Sequence, residues 1–196
     1  MKFRAVIALA AAALLSACGL NSVPTAEEAA KAKWADVQAN YQRRADLIPN
    51  LVATVKGAAA SEGKILADVT NARARATSIQ VNAGDLTDAG KVKAFQDAQQ
   101  QLGSSVGRLL ASVEAYPDLK SQENFKTLMS QLEGTENRIT ISIRDYNQAV
   151  QAYNTRIRTF PDAIGAKIFY GAKPMTPFQA QAGADKAPTV DFGNSN

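Results

Sequence analysis

The residues best placed to do chemistry together lie on either side of Pro49. Two arginines, an aspartate and an asparagine stand close together there, at Arg43, Arg44, Asp46 and Asn50. In a helix, residues three and four apart share a face, which would bring Arg43 to Asp46 and Asp46 to Asn50. Such a group would suit binding of a protein partner or a phospholipid head group. The simpler interpretation, which we favour, is that Asp46 caps a helix that restarts at Pro49.

The sequence offers little for acid–base or metal chemistry. It contains no His, the side chain that most often transfers protons near neutral pH and most often ligates metals. Glu62 and Glu136 could form a carboxylate pair, but a catalytic pair must converge in a pocket that separates their pKa values. Nothing in the sequence indicates convergence, and with Arg144 they are better explained by ion pairs or exposed helix faces. We therefore predict a protein that is not an enzyme and uses no metal or cofactor.

The single cysteine, Cys18, indicates a different chemistry. It ends the motif LSAC, which resembles the bacterial lipobox, in which the cysteine is diacylated, becomes the new N-terminus and is acylated again. An apolar stretch of signal-peptide length, residues 5–15, precedes it and is too short for a permanent span. The alternative is an ordinary signal peptide followed by an incidental cysteine. Since Gly19 rather than Asp follows, lipoprotein sorting favours the outer membrane over the inner one.

The composition describes one globular domain. A chain of 196 residues with 46% hydrophobic and 20% charged residues is long enough for a single core. Removal of a leader that contains Lys2 and Arg4 would lower the formal net charge from +4 to +2. That balance is too small for a nucleic-acid-binding protein, which should show a basic patch.

Hydrophobic periodicity predicts helices throughout the domain. Apolar residues recur at spacings of three and four over residues 34–48, 52–76, 92–116 and 125–160. Long stripes of this kind are typical of bundles whose helices pack close to antiparallel. Pro49 interrupts the first stripe and must kink or break the helix. The chain therefore either turns near Pro49, which gives four helices, or bends there, which gives three.

Three polar features within or before these stripes bear on how the helices start and pack. Gln99 is the only polar residue in the third stripe. The doublets Tyr146-Asn147 and Tyr153-Asn154 are one heptad apart and could line a ligand groove. More often, a Tyr at this spacing buries its ring and lets its hydroxyl reach a partner. The segment TAEE at 25–28 has the form of a capping box and predicts that the first helix starts there.

The chain resembles the LemA family in three segments. They are YQRRADLIPNLVATVKG at 41–57, the block from AYPDLK to RIRTFP at 115–161, and APTVDF at 187–192. The resemblance implies a helical bundle on a membrane anchor, without established enzymatic activity. The chain departs from the family in two places. A lipobox stands where members usually carry a transmembrane helix, and Ser61-Glu62 replaces a common His-Glu pair.

We predict an all-α fold, an up-and-down bundle of three to four long antiparallel helices with an extended C-terminal tail. The predicted boundaries are a signal peptide at 1–17, a lipidated tether at 18–24, the bundle at 25–170 and a flexible tail at 171–196. The predicted function is a lipid-anchored scaffold or regulator of envelope proteins that faces the periplasm. Its alternative is a module that binds lipid or an envelope polymer. The predicted partners are the membrane and an envelope protein, not nucleic acid.

Overall fold

A computed structural model describes residues 21–179, and helices dominate this range. The helices are α1 (Ser22–Ala58), α2 (Gly63–Ser78), α3 (Ala89–Val113), α4 (Pro117–Ser121), α5 (Glu123–Arg156) and α6 (Asp162–Ile168), with 3₁₀ turns at Ala60–Glu62 and Ala83–Thr87. The described residues form no strand, which confirms the predicted all-α bundle. The predicted signal peptide, Cys18 and the APTVDF motif lie outside the described residues.

Four long helices form an open bundle in the order α5, α1, α2, α3. Helix α1 packs against α5 and α2, and α2 packs against α3. Neighbouring helices are antiparallel, since Trp34 of α1 contacts Tyr146 of α5 and Arg44 pairs with Glu136 farther back along α5. Helices α3 and α5 face each other across a groove, so the bundle is not closed.

The core consists of two apolar clusters. The cluster near the start of α1 is rich in aromatic residues. The centre of the Trp34 ring lies 5.4 Å from the centre of the Phe95 ring and 5.7 Å from that of Phe178. The Trp34 indole also donates a hydrogen bond of 2.8 Å to the carbonyl of Val81, which fixes the α2–α3 connection on α1. The second cluster is mainly aliphatic and includes Leu102. Separate packing of the two ends lets polar side chains occupy the level between them.

Helix α1 passes through Pro49 without a break, and the chain reverses ten residues later, at Ala59–Glu62. Of the two predicted alternatives, a turn at Pro49 is therefore wrong, and Asp46 does not cap a new helix. Pro49 has no N–H to donate to the carbonyl of Ala45, four residues earlier. That carbonyl instead accepts a 2.7 Å hydrogen bond from Nε of Arg73 in α2. The proline thus provides an acceptor that attaches α2 to α1.

Arg73→Ala should lower the free energy of unfolding by about 1–2 kcal/mol, because it removes a charged donor from this carbonyl. In a Pro49→Ala background the new backbone N–H supplies the carbonyl, so the same change should cost about 1 kcal/mol less. Urea unfolding of the four proteins measures this cycle. Arg75→Ala, which alters an exposed residue of the same helix, is the control. Equal costs of Arg73→Ala in both backgrounds would contradict the assigned role of Pro49.

Helix α1 also begins earlier than the capping-box motif predicts. Its first residue is Ser22, so residues 22–24 of the predicted tether are helical. The Thr25 hydroxyl does not cap a helix start but donates to the carbonyl of Asn21 at 2.7 Å. Val23 is fully buried in the aromatic cluster, and this burial outweighs the local signal at Thr25. Pro24 is tolerated because the first turn of a helix needs no donor from it.

Candidate functional site

Two asparagines of α5 hold an extended segment of the chain, residues 171–179, along the helix. Asn154 bonds the backbone of Met175 twice, with Nδ2 donating to the carbonyl at 2.9 Å and Oδ1 accepting from the amide at 2.8 Å. Asn147 makes the same pair with Phe178, at 3.0 and 2.8 Å. A heptad of helix rises about 10.5 Å, which three extended residues also span. The segment therefore runs extended and antiparallel to α5.

The tyrosines of the same doublets add to this attachment. The Tyr146 and Tyr153 rings are buried, as predicted, and their hydroxyls donate to the carbonyls of Thr176 at 2.9 Å and Lys173 at 3.1 Å. Burial raises the pKa of both hydroxyls, which keeps them protonated as donors. Residues 171–179 of the predicted tail are thus extended, and the side chains of α5 bond to their main chain.

This segment ends at the groove between α3 and α5. Phe178 and Gln179 line the groove, which has a volume of about 1210 Å³. Its apolar wall residues are Val106, Leu110, Met129, Leu132, Ile139 and Ile143. The groove thus continues the path along which residues 171–179 already lie.

Arg44 forms the floor of the groove and joins the helices around it. Its side chain is buried, and Nη1 donates to Oε1 of Glu136 at 3.1 Å. Nη2 donates to both the carbonyl and Oε1 of Gln99, at 2.8 and 2.9 Å. The guanidinium also lies 5.0 Å from the centre of the Tyr41 ring. Gln99 in turn donates to the carbonyl of Ala76 at 3.2 Å, so this polar layer connects all four long helices.

Two buried donors at the groove have no hydrogen-bond acceptor among the described residues. They are Nε of Arg44 and Nε2 of Gln96. A buried donor without an acceptor costs about 1–3 kcal/mol, so native proteins rarely leave one unmet. Both atoms expose almost no surface, so they lie behind the groove wall rather than on it.

The LemA family model matches residues 33–192. The chain belongs to the LemA family. This match includes residues 180–192, which follow directly on Gln179 at the groove.

Individual relatives are about 30% identical to the chain or less. The magnetosome protein MamQ 2 of Paramagnetospirillum magneticum is 31% identical over 157 residues, which cover 72% of this chain and 58% of the relative. MamQ of Magnetospirillum gryphiswaldense is 30% identical over 159 residues, with the same two coverages of 72% and 58%. Protein LemA of Metamycoplasma hominis is 27% identical over 124 residues, 63% of this chain and 52% of the relative. The chain thus spans only slightly more than half the length of these relatives.

Of the four residues predicted around Pro49, the structure places only Arg44 in the groove. Arg43, Asp46 and Asn50 are exposed on another face of α1. Asp46 accepts a 2.7 Å hydrogen bond from Gln42 rather than a bond from Arg43. The structure thus separates Arg44 from the other three residues, which do not form a cleft.

The carboxylates considered in the sequence do not converge. Glu136 pairs with Arg44. Glu62 lies in the 3₁₀ turn that follows α1 and accepts a 3.0 Å hydrogen bond from the Tyr116 hydroxyl. Nη2 of Arg144 lies 3.3 Å from Oδ1 of Asp145 on the exposed side of α5.

The part of the chain that the structure describes, residues 21–179, contains no helix that is apolar and long enough to cross a membrane.

Proposed function

We propose that this LemA-family chain is a non-enzymatic, membrane-anchored protein of the bacterial cell envelope that scaffolds or regulates other envelope proteins. It would do so by binding an extended segment of a partner protein in the groove between α3 and α5. The observation that carries this proposal is the extended segment 171–179, which α5 binds through its main chain and which reaches the groove at Phe178 and Gln179.

An extended peptide fits this groove better than a compact ligand does. The bundle already binds an extended segment, residues 171–179, along α5 through main-chain hydrogen bonds. The groove continues this path and has apolar walls on α3 and α5. Peptides bound in this way use main-chain hydrogen bonds for affinity and alternate side chains for specificity. Of the predicted group only Arg44 lines this groove, so Arg44, rather than Arg43, Asp46 or Asn50, would lie beneath a bound partner segment.

The anchor we propose is a set of acyl chains on Cys18. The LSAC motif supports it, and several acyl chains hold a protein stably at a membrane where one chain would not. Gly19 after the cysteine supports the outer membrane and a bundle that faces the periplasm. In this arrangement only three residues, 19–21, separate the anchor from the first residue of α1, Ser22.

Site-specific photocrosslinking in cells tests the groove. A photoreactive residue at Asn137, on the groove wall, should crosslink to a segment of an envelope protein. Gly107→Trp should reduce this crosslink about tenfold or more, because Gly107 lines the groove and a Cβ there meets only open space. The matched control is Gly134→Trp. It also replaces a helical glycine whose Cβ would meet open space, but Gly134 does not line the groove.

The competing occupant is the chain's own C-terminal segment, since residues 180–192 follow directly on Gln179. Crosslinks that map only to residues 180–196 would assign the groove to this segment and overturn the partner proposal. Crosslinks to a partner that are equally strong in the Gly107→Trp and Gly134→Trp proteins would place the contact elsewhere on the bundle and would also overturn it.

A further inference from the structure

Exposed apolar side chains cover one end of the bundle. Phe160 is 82% exposed, Ile168 68%, Phe169 67% and Ile164 52%. Of the six exposed large hydrophobic residues in the range that the structure describes, five lie within residues 160–170. Scattered exposed apolar residues are normal, but a contiguous patch marks an interaction surface.

The patch lies at the end of the bundle where α1 begins. Because α1 and α5 are antiparallel, Val23 is level with the end of α5, and it shares the aromatic cluster with Ala166 of α6. Helix α6 packs on α1 through its buried side, which includes Gly165 and Ala166. Ile164 and Ile168 are four residues apart and share its outer face. The short helix thus has an outer apolar face in addition to its buried one, and Ile164 and Ile168 on that outer face remain exposed among residues 21–179.

Basic side chains surround this patch. Arg158, Lys167 and Lys173 are exposed around it. The nearby acid Asp162 is already paired with Arg156, at 3.5 Å. On the adjacent first turns of α1, Glu27 and Glu28 share Lys31, which leaves one negative charge there against the three basic side chains of the rim. An apolar face with a basic rim is complementary to an anionic lipid surface, which attracts Lys and Arg near its head groups.

We infer that this face docks the bundle on the lipid bilayer, with Phe160, Ile164, Ile168 and Phe169 inserted at the boundary between head groups and acyl chains. The inference rests on the anchor proposed above. Four peptide steps from Cys18 to Ser22 span at most about 14 Å, so an anchor at Cys18 holds this end of the bundle at the membrane surface. The bilayer is then the occupant that the chain itself brings to the face.

This orientation also positions the groove. Arg44 is 22 residues along α1 from Ser22, which corresponds to about 33 Å of helix. With the apolar end on the bilayer and the long helices upright, the groove floor stands at about this height above the surface. A partner segment would then be bound at a set distance from the membrane.

The test uses the full lipidated chain, purified from membranes and reconstituted into vesicles of phosphatidylethanolamine with a minority of phosphatidylglycerol. A nitroxide label is attached at Ile168→Cys, and its collisions with oxygen and with a water-soluble nickel chelate are measured by electron paramagnetic resonance. The control label is at Ile141→Cys, which replaces another exposed isoleucine, 51% exposed on the middle of α5. We expect the ratio of oxygen to nickel collisions to be about threefold or more higher at position 168, because oxygen partitions into acyl chains and the chelate does not.

The possible results separate this inference from the anchor. Equal collision ratios at positions 168 and 141, in protein that floats with the vesicles, would overturn the docking face and leave the anchor standing. Protein that fails to float with the vesicles would overturn both. Both labelled positions are exposed, so neither substitution removes a core contact.

Discussion

Arg44→Ala should lower the free energy of unfolding by about 3 kcal/mol, whereas Arg43→Ala should change it by less than about 0.5 kcal/mol. The two arginines are adjacent, but the Arg44 side chain is buried and donates three hydrogen bonds, whereas Arg43 is exposed. Removal of Arg44 leaves the buried Oε1 of Gln99 without this donor. Urea unfolding of the two variants measures the difference.

The estimate for Arg44 lies at the low end for a broken buried ion pair, because only one partner is buried. Glu136 has 52% of its side-chain surface exposed, so water can replace the guanidinium at its carboxylate. Glu136→Gln should therefore cost less than about 1 kcal/mol. A cost for Arg43→Ala as large as that for Arg44→Ala would contradict the polar layer as the element that joins the four helices.

Replacement of both Asn147 and Asn154 by Ala should release residues 171–179 from α5. Each asparagine makes two hydrogen bonds with the main chain of this segment, and their loss should cost about 3 kcal/mol in total. Amide hydrogen exchange at Met175 and Phe178 should then become about a hundredfold faster, since their amides lose the side-chain acceptors. Mass spectrometry or NMR of the exchanging protein measures this rate.

Asn124→Ala is the control for this release, because Asn124 is an exposed asparagine of the same helix. It should leave exchange in residues 171–179 unchanged. Slow exchange at Met175 and Phe178 in the double variant would contradict the role of the Tyr-Asn doublets, and the buried Phe178 ring would then account for the attachment.

Local pattern predicted the helices well because each one repeats its apolar residues over several turns. The same pattern could not place the chain reversal. Ala59 is 1% exposed and continues the apolar stripe, so nothing in the period marks the break between α1 and α2. Pro49 gave the stronger local signal for a break, but a helix that keeps its apolar face buried on both sides tolerates one missing N–H.

The candidate site depends on contacts that no local rule contains. Helical spacing put Arg43 with Asp46, but it could not show that Arg44 points inward, since an arginine is rarely buried without partners. Those partners, Gln99 and Glu136, lie 55 and 92 residues away in sequence. Gln99 was the available signal, as the only polar residue in its stripe. The attachment of residues 171–179 could not be predicted from their sequence. The asparagine amides bond the main chain of this segment, which every residue carries, so the attachment requires no periodic pattern of side chains.

The measurement that tests the central claim most directly is the yield of partner crosslinks from Asn137 in cells, compared between the Gly107→Trp and Gly134→Trp chains. If the groove between α3 and α5 binds a segment of an envelope protein, the Gly107→Trp chain loses the crosslink and the Gly134→Trp chain keeps it. Equal yields from the two chains, or crosslinks that reach only residues 180–196, would contradict the account.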